Sequence, residues 1–236
     1  MTDDTSGLLA SLYNQTRAAL QRDIAAADSL PALLALAQTS LQHTSRTVEE
    51  VLAASGLATG CTAGCSFCCW LRIDAQAHEI LLLARYIRAH WSEGGIATLL
   101  AQARLSSPSE KDDSMARTQR PCVLLKDGMC QVYPVRPGAC RRYYSKAVSE
   151  CHRLWMDASA EGTVEYPLIS DTGRAVGGAV NHSFAMAGFD DSYYELTAAL
   201  VEALEDRDCE ERWLQRTKVF SSPSLTPPRA PRPPVP

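Results

Sequence analysis

No run of 18 or more apolar residues occurs anywhere in the sequence, so no membrane-spanning helix is expected. Basic residues are in no excess. Twenty-three Lys and Arg face 27 Asp and Glu, for a formal net charge of −4, which argues against nucleic acid or an anionic membrane as an obligatory partner. A glycine-rich strand-to-helix turn of the kind that cradles a nucleotide is also missing. The opening residues, Met1 to Gly7, are acidic where a secretory leader would be basic, and no apolar stretch follows them. The expected compartment is therefore the cytoplasm. Disorder is excluded as well, because 46% hydrophobic and 21% charged residues in 236 leave ample material for a core.

What the chain does have is cysteine. There are nine, and in a reducing compartment such a number points to metal ligands or reactive thiols rather than disulfides. Four of them fall within nine residues: Cys61, Cys65, Cys68 and Cys69. Adjacent cysteines such as Cys68 and Cys69 seldom bond to each other without straining the peptide between them. Two or three residues between thiolates is instead a spacing at which a tight backbone turn converges sulfurs on one ion or cluster. Gly60 and Gly64 suit that turn, since glycine tolerates positive φ and close approach.

A second cysteine region follows some fifty residues later, with Cys122, Cys130 and Cys140. Val123 to Leu125 and Met129 to Tyr133 are short apolar pieces joined through Lys126-Asp127-Gly128, and Asp-Gly is a strong hairpin signal. Such a hairpin would bring Cys122 and Cys130 together. Pro134 and Pro137 then keep the chain extended or turned as far as Cys140.

Taken together, Cys61-x3-Cys65-x2-Cys68-Cys69 with the later Pro-Cys-x-Leu-Leu, Asp-Gly-x-Cys, Val-Tyr, Arg-Pro and Cys-Arg resembles the cysteine-cluster proteins of the YkgJ type, which are zinc- or iron-chelating domains. The resemblance covers about residues 58–155. It departs in the first gap, three residues here and commonly two, so the role of Cys61 is less fixed than those of Cys65, Cys68 and Cys69. The region is also similar to flagellin lysine methylase. That similarity implies an iron–sulfur cluster, S-adenosylmethionine chemistry and a protein substrate.

Cys151 extends the series and His152 adjoins it, so the candidate metal ligands are Cys61, Cys65, Cys68, Cys69, Cys122, Cys130, Cys140 and Cys151. Eight thiols exceed one tetrahedral zinc. The surplus implies two metals, a multinuclear cluster, or thiols that do chemistry of their own. Seven, nine and ten residues separate the later cysteines, wider than the knuckles of structural zinc sites, which favours an iron–sulfur cluster over zinc. Both accept sulfur. Arg136, Arg141 and Arg142 flank Cys140; they form either a cationic pocket for a carboxylate or phosphate group, or the charge compensation that thiolates require. The function that follows is metal or cluster binding in a redox, metal-handling or cluster-dependent role. Two alternatives stand beside it: a cluster-dependent protein-modifying enzyme, and a zinc-stabilised module that binds a protein partner.

Around this centre the pattern predicts a mainly α-helical fold with at most a small β-hairpin. Residues 8–57 read as a helical hairpin broken near Asp28 to Pro31, by apolar spacings such as Leu8, Leu12, Ala19 and Leu33, Leu34, Ala37, Leu41. Residues 74–90 and 94–105 read as further helices, and 106–120 as a polar linker. His78 and Glu79 lack the second His that would complete a metal motif. Residues 163–169 alternate like a strand, and Gly173, Gly177, Gly178 and Gly188 suggest a loop-rich stretch beyond it, with His182 inside. Residues 191–218 read as one long helix packed on the N-terminal hairpin, with Cys209 as a non-ligand. The expected organisation is a hairpin over 1–57, a cysteine-cluster domain over 58–220 and a proline-rich tail over 221–236, whose seven prolines cannot pack a core.

Overall fold

The computed structural model describes residues 3–106, 121–157 and 164–222. Most of the expected linker and nearly all of the proline-rich tail lie outside those residues. The fold is mainly helical, 67% of it in helices, with two small two-stranded antiparallel sheets.

Helix α1 (Asp3–Ala26) and helix α2 (Leu30–Ser55) form where apolar spacing places them. Ser29 caps α2 by accepting a hydrogen bond from Ala32 N, Pro31 occupies its first turn, and Gly56 ends it at φ +66°. Both helices pack on a third, α7 (Pro167–Met186), rather than chiefly on each other.

α7 overturns the expectation of a strand and loop in this region. Pro167 starts a 20-residue helix, and of the alternating stretch only Glu165 bridges to Ser145; Thr163 lies outside the described residues. Its glycines do not break it, and two of them are contact points. A Cβ on Gly173 would lie 2.3 Å from Cβ of Arg142, and one on Gly178 would lie 4.0 Å from the Tyr13 ring. Glycine lowers helix propensity, but here close packing against neighbouring elements outweighs that cost.

The central element is α3 (Ala77–His90), on which every residue from Ala77 to Ala84 is buried. Its expected start at residue 74 is corrected by a strand, β1 (Asp74–Gln76), which pairs antiparallel with β4 (Tyr193–Glu195) in the register Ala75 to Tyr194. Each strand runs straight into a helix. β4 leads into α8 (Leu196–Glu205), which Glu195 caps by accepting from Thr197 N and Ala198 N, and α3 and α8 pack together. The long helix expected over 191–218 is thus three elements, since α9 (Asp208–Leu214) follows a break at Asp206 and Arg207. This end of the chain packs on α3, not on the N-terminal hairpin, and Leu214 is exposed while Trp213 is fully buried. Trp213, Phe184 and Phe189 form an aromatic knot beside α3, with His78 stacked on Phe184 at 4.5 Å. α4 (Glu93–Ser106) lies against α8.

Replacing Gly173 by alanine should destabilise the fold by about 1–3 kcal/mol, because the added carbon would fall on the Arg142 Cβ, which moves only with its backbone. Gly177→Ala, where nothing lies within 4 Å of the added carbon, should be neutral or stabilising by up to about 1 kcal/mol. Thermal unfolding of both variants checks the contrast; equal shifts would contradict the packing role of Gly173.

Candidate metal centre

Three segments meet at the cysteines. The first is the loop from Ala58 to Leu71. Gly64 turns it at φ +85°, Cys65 N donates to Thr62 O at 3.0 Å, and a 3-10 turn over Phe67–Trp70 carries Cys68 and Cys69. The Cys68 and Cys69 thiols are hydrogen-bonded to each other.

The second segment is the expected hairpin, smaller than its apolar pieces suggest. β2 (Leu125–Lys126) pairs with β3 (Met129–Cys130), and both turn residues have positive φ, Asp127 at 52° and Gly128 at 74°, as a type I′ turn demands. A 3-10 turn over Tyr133–Val135 follows, then the single helical turn α5 (Gly138–Arg141) bearing Cys140. The two segments are joined by one short backbone bond, Cys122 N to Cys69 O at 2.7 Å. The hairpin turn also sits on the first loop, with a Cβ on Gly128 placed 3.5 Å from Gly64 O.

The third segment is α6 (Val148–Met156), which carries Cys151. Gly60 presses against its start: an added Cβ would lie 2.7 Å from Val148 N. Ser145, 1% exposed, lies between, and its N–H donates to Cys61 Sγ at 3.2 Å while its carbonyl accepts from Gly60 N at 3.0 Å. Phe67, Trp70, His152 and Trp155 form an edge-to-face ring cluster over this side of the loop.

All eight candidate thiols are free and half-buried. At five of them the surroundings favour the protonated form. The bond to Cys69, then burial, pushes the Cys68 thiol up; burial raises Cys130, Cys140 and Cys151, and lifts Cys122 to about 11. Neighbouring thiols add to the effect. At Cys140, Cys122, Cys68 and Cys130 push the same way as burial. Groups held this way stay protonated at neutral pH until a cation displaces the proton, so retention of a metal would weaken as pH falls. Among the described residues no three His, Cys, Asp or Glu side chains stand close enough to hold an ion as placed. The thiols are gathered but not closed around a point.

The three arginines divide. Arg136 stacks on the Tyr133 ring at 4.1 Å, and its charge acts on Cys68, Cys130 and Cys140. Arg141 is engaged in the framework, donating to Arg136 O, Pro134 O and Ser45 Oγ at 2.7–2.8 Å, and burial brings its pKa down to about 10. Arg142 lies against Gly173, where burial and the nearby Arg174 lower its pKa while Glu165 and Glu79 oppose them.

His78 is fully buried and burial lowers its pKa, so it serves the aromatic core. Glu79 does more. Its Oε2 accepts from Gln76 N at 2.9 Å and its Oε1 from Gly138 N at 2.8 Å, clamping the turn that bears Cys140 onto the start of α3. His182 is remote from the thiols in the bonding network, with Nδ1 2.5 Å from Tyr13 Oη. Cys209 is buried in the core near Arg212, and burial raises it to about 11. Ser145 carried no signal in the sequence, because its importance depends on contacts with a residue 84 positions away. A groove of about 340 Å³ between α1 and α2 is lined by residues such as Thr16, Ser40, His43 and Arg46, and by none of the cysteines.

Comparison with protein-family models, with curated proteins and with solved structures found no match to this chain. No helix among the described residues is long and apolar enough to cross a membrane.

Glu79→Gln keeps one acceptor and turns an NH2 group toward a backbone donor. It should cost about 1–3 kcal/mol of stability in urea unfolding and speed alkylation of Cys140 in the native protein. Unchanged stability and reactivity would contradict the clamp.

Proposed function

We propose that this chain is a metal-centre protein that holds an iron–sulfur cluster, or a zinc ion, on cysteine thiolates, and that it works in the cytoplasm in a redox, metal-handling or cluster-dependent role. The observation that carries this reading is the 2.7 Å bond from Cys122 N to Cys69 O. It joins two cysteine regions some fifty residues apart, the 3-10 turn that carries Cys68 and Cys69 and the hairpin segment that carries Cys122 and Cys130.

The donor set fits a soft cation. Thiolates prefer iron–sulfur and zinc to hard ions. Cys68, Cys122, Cys130 and Cys140 would hold the group, with Cys69 adjacent. An iron–sulfur cluster bound there supplies one-electron transfer, whereas zinc braces the loops. Arg136 offsets the negative charge of the assembled thiolates, which favours their ionised form and raises the potential of a bound cluster. Glu79 and Arg141 keep the Cys140 turn in register. Phe67, Trp70 and Trp155 limit the approach of water from the α6 side. The partner in this reading is a protein that exchanges electrons or metal with the centre, or one that it modifies with the help of S-adenosylmethionine. The YkgJ-type resemblance over residues 58–155 points the same way.

Anaerobic purification followed by metal and sulfide analysis tests the proposal. Iron with acid-labile sulfide, or stoichiometric zinc, is expected in the wild type and should be lost from Cys68→Ser. A wild-type protein that retains neither metal would refute the reading.

A further inference from the structure

The N-terminal hairpin rests on α7 and leaves a face of its own uncovered. α1 and α2 touch each other far less than they touch α7, and the groove of about 340 Å³ between them opens to solvent. Leu12, Thr16, Ala19 and Asp23 line one wall, and Leu36, Thr39, His43 and Arg46 line the other. Steps of three and four residues along each helix form the kind of seam by which helices pack into bundles. Leu8, one step earlier on the α1 row, is 41% exposed. Among the described residues, nothing packs on this seam.

Among the described residues, the charged side chains that line the groove are Asp23 and Arg46, and they stand at opposite ends. A three-residue connection makes α1 and α2 antiparallel, and Thr16 Oγ1 meets His43 Nε2 at 3.4 Å. From that level, at about 1.5 Å per residue, Asp23 lies about 10 Å toward the connecting turn and Arg46 about 5 Å the other way. Near the midpoint between the two charges are Ala19 and Ser40, small side chains that let another backbone approach. Burial, then Arg46, lowers the pKa of His43 against the pull of Glu50, so the ring in the groove is neutral at neutral pH.

We propose that the occupant of this groove is a second copy of the same chain, its helical hairpin laid face to face on the first so that four helices close a bundle. The charges select the arrangement. A two-fold axis running across the helices reverses one hairpin end for end, so Arg46 meets Asp23 of the partner subunit, and the same pair recurs on the far side of the axis. An axis running along the helices would instead set Arg46 against Arg46 and Asp23 against Asp23, which like-charge repulsion disfavours. A groove with opposite charges at its two ends is therefore complementary to itself. Burial of the apolar seam drives the association, and the charges orient it. None of the cysteines lines the groove, so the dimer stands apart from the metal-binding reading.

Sedimentation equilibrium of the full chain tests the assembly, with circular dichroism and metal content measured on the same samples. The wild type should sediment as a dimer that weakens as salt is raised. Asp23→Arg and Arg46→Asp, both at exposed helical positions, should each raise the dimer dissociation constant by about tenfold or more. An equimolar mixture of these two variants should form dimers again, because every facing pair is then opposite in sign. Ala19→Glu, also at an exposed position, puts a charge at the centre of the seam and should leave a monomer with the helix content of the wild type. Metal content should be the same in all of them. A wild type that stays monomeric up to its solubility limit overturns the proposal. So does a dimer indifferent to all three substitutions, which must use another face, or a failure of the mixed variants to pair.

Discussion

A buried carboxylate holds the two halves of this protein in register. Glu79 stands in the first turn of the central helix α3, where one oxygen caps its own helix at Gln76 N and the other accepts from Gly138 N. That second bond fixes the backbone of the single helical turn bearing Cys140, which also packs against α2 and α7. With it, the hairpin segment is fastened to the most buried element of the fold. The cysteine loop is fastened in turn to the hairpin through Cys69 and Cys122, and to α6 through Gly60 and Ser145. The irregular cysteine-rich region therefore inherits its order from a helical scaffold rather than from a sheet of its own.

That scaffold was largely legible in the residues. Three- and four-residue apolar spacing located α1, α2, α3 and α4, Asp28 to Pro31 marked the break between α1 and α2, and Asp127-Gly128 marked the hairpin turn. What misled was glycine. Gly173, Gly177 and Gly178 read as loop residues, because their local preference is against helix and nothing nearby in sequence reveals that Arg142 and Tyr13 press on this helix face. The β1–β4 pairing escaped for a similar reason: three residues at each strand, more than a hundred positions apart, leave no periodic trace. The break at Asp206 and Arg207 interrupts an otherwise continuous apolar stripe, which single-helix spacing cannot distinguish from a bend.

The candidate site divides along the same line. Cysteine spacing picked out the candidate donors, because ligand chemistry is local to a few residues. Which donors neighbour which is a matter of tertiary contact. So are the different placements of the three arginines, of which Arg136 acts on Cys68, Cys130 and Cys140, Arg141 braces the backbone and Arg142 packs against α7. Gathering thiols this closely has an electrostatic consequence. At Cys140, burial and the neighbouring Cys122, Cys68 and Cys130 all raise the proton affinity, so a cation would have to displace that proton to bind there.

X-ray absorption at the metal edge of the anaerobically purified protein tests the central claim most directly, since it counts the atoms bound to the ion. A first shell made mainly of sulfur, near the roughly 2.3 Å expected for zinc bound to thiolate or at the comparable distance in an iron–sulfur cluster, is the predicted result. A shell of nitrogen and oxygen, with sulfur absent, would contradict a thiolate centre built from these cysteines.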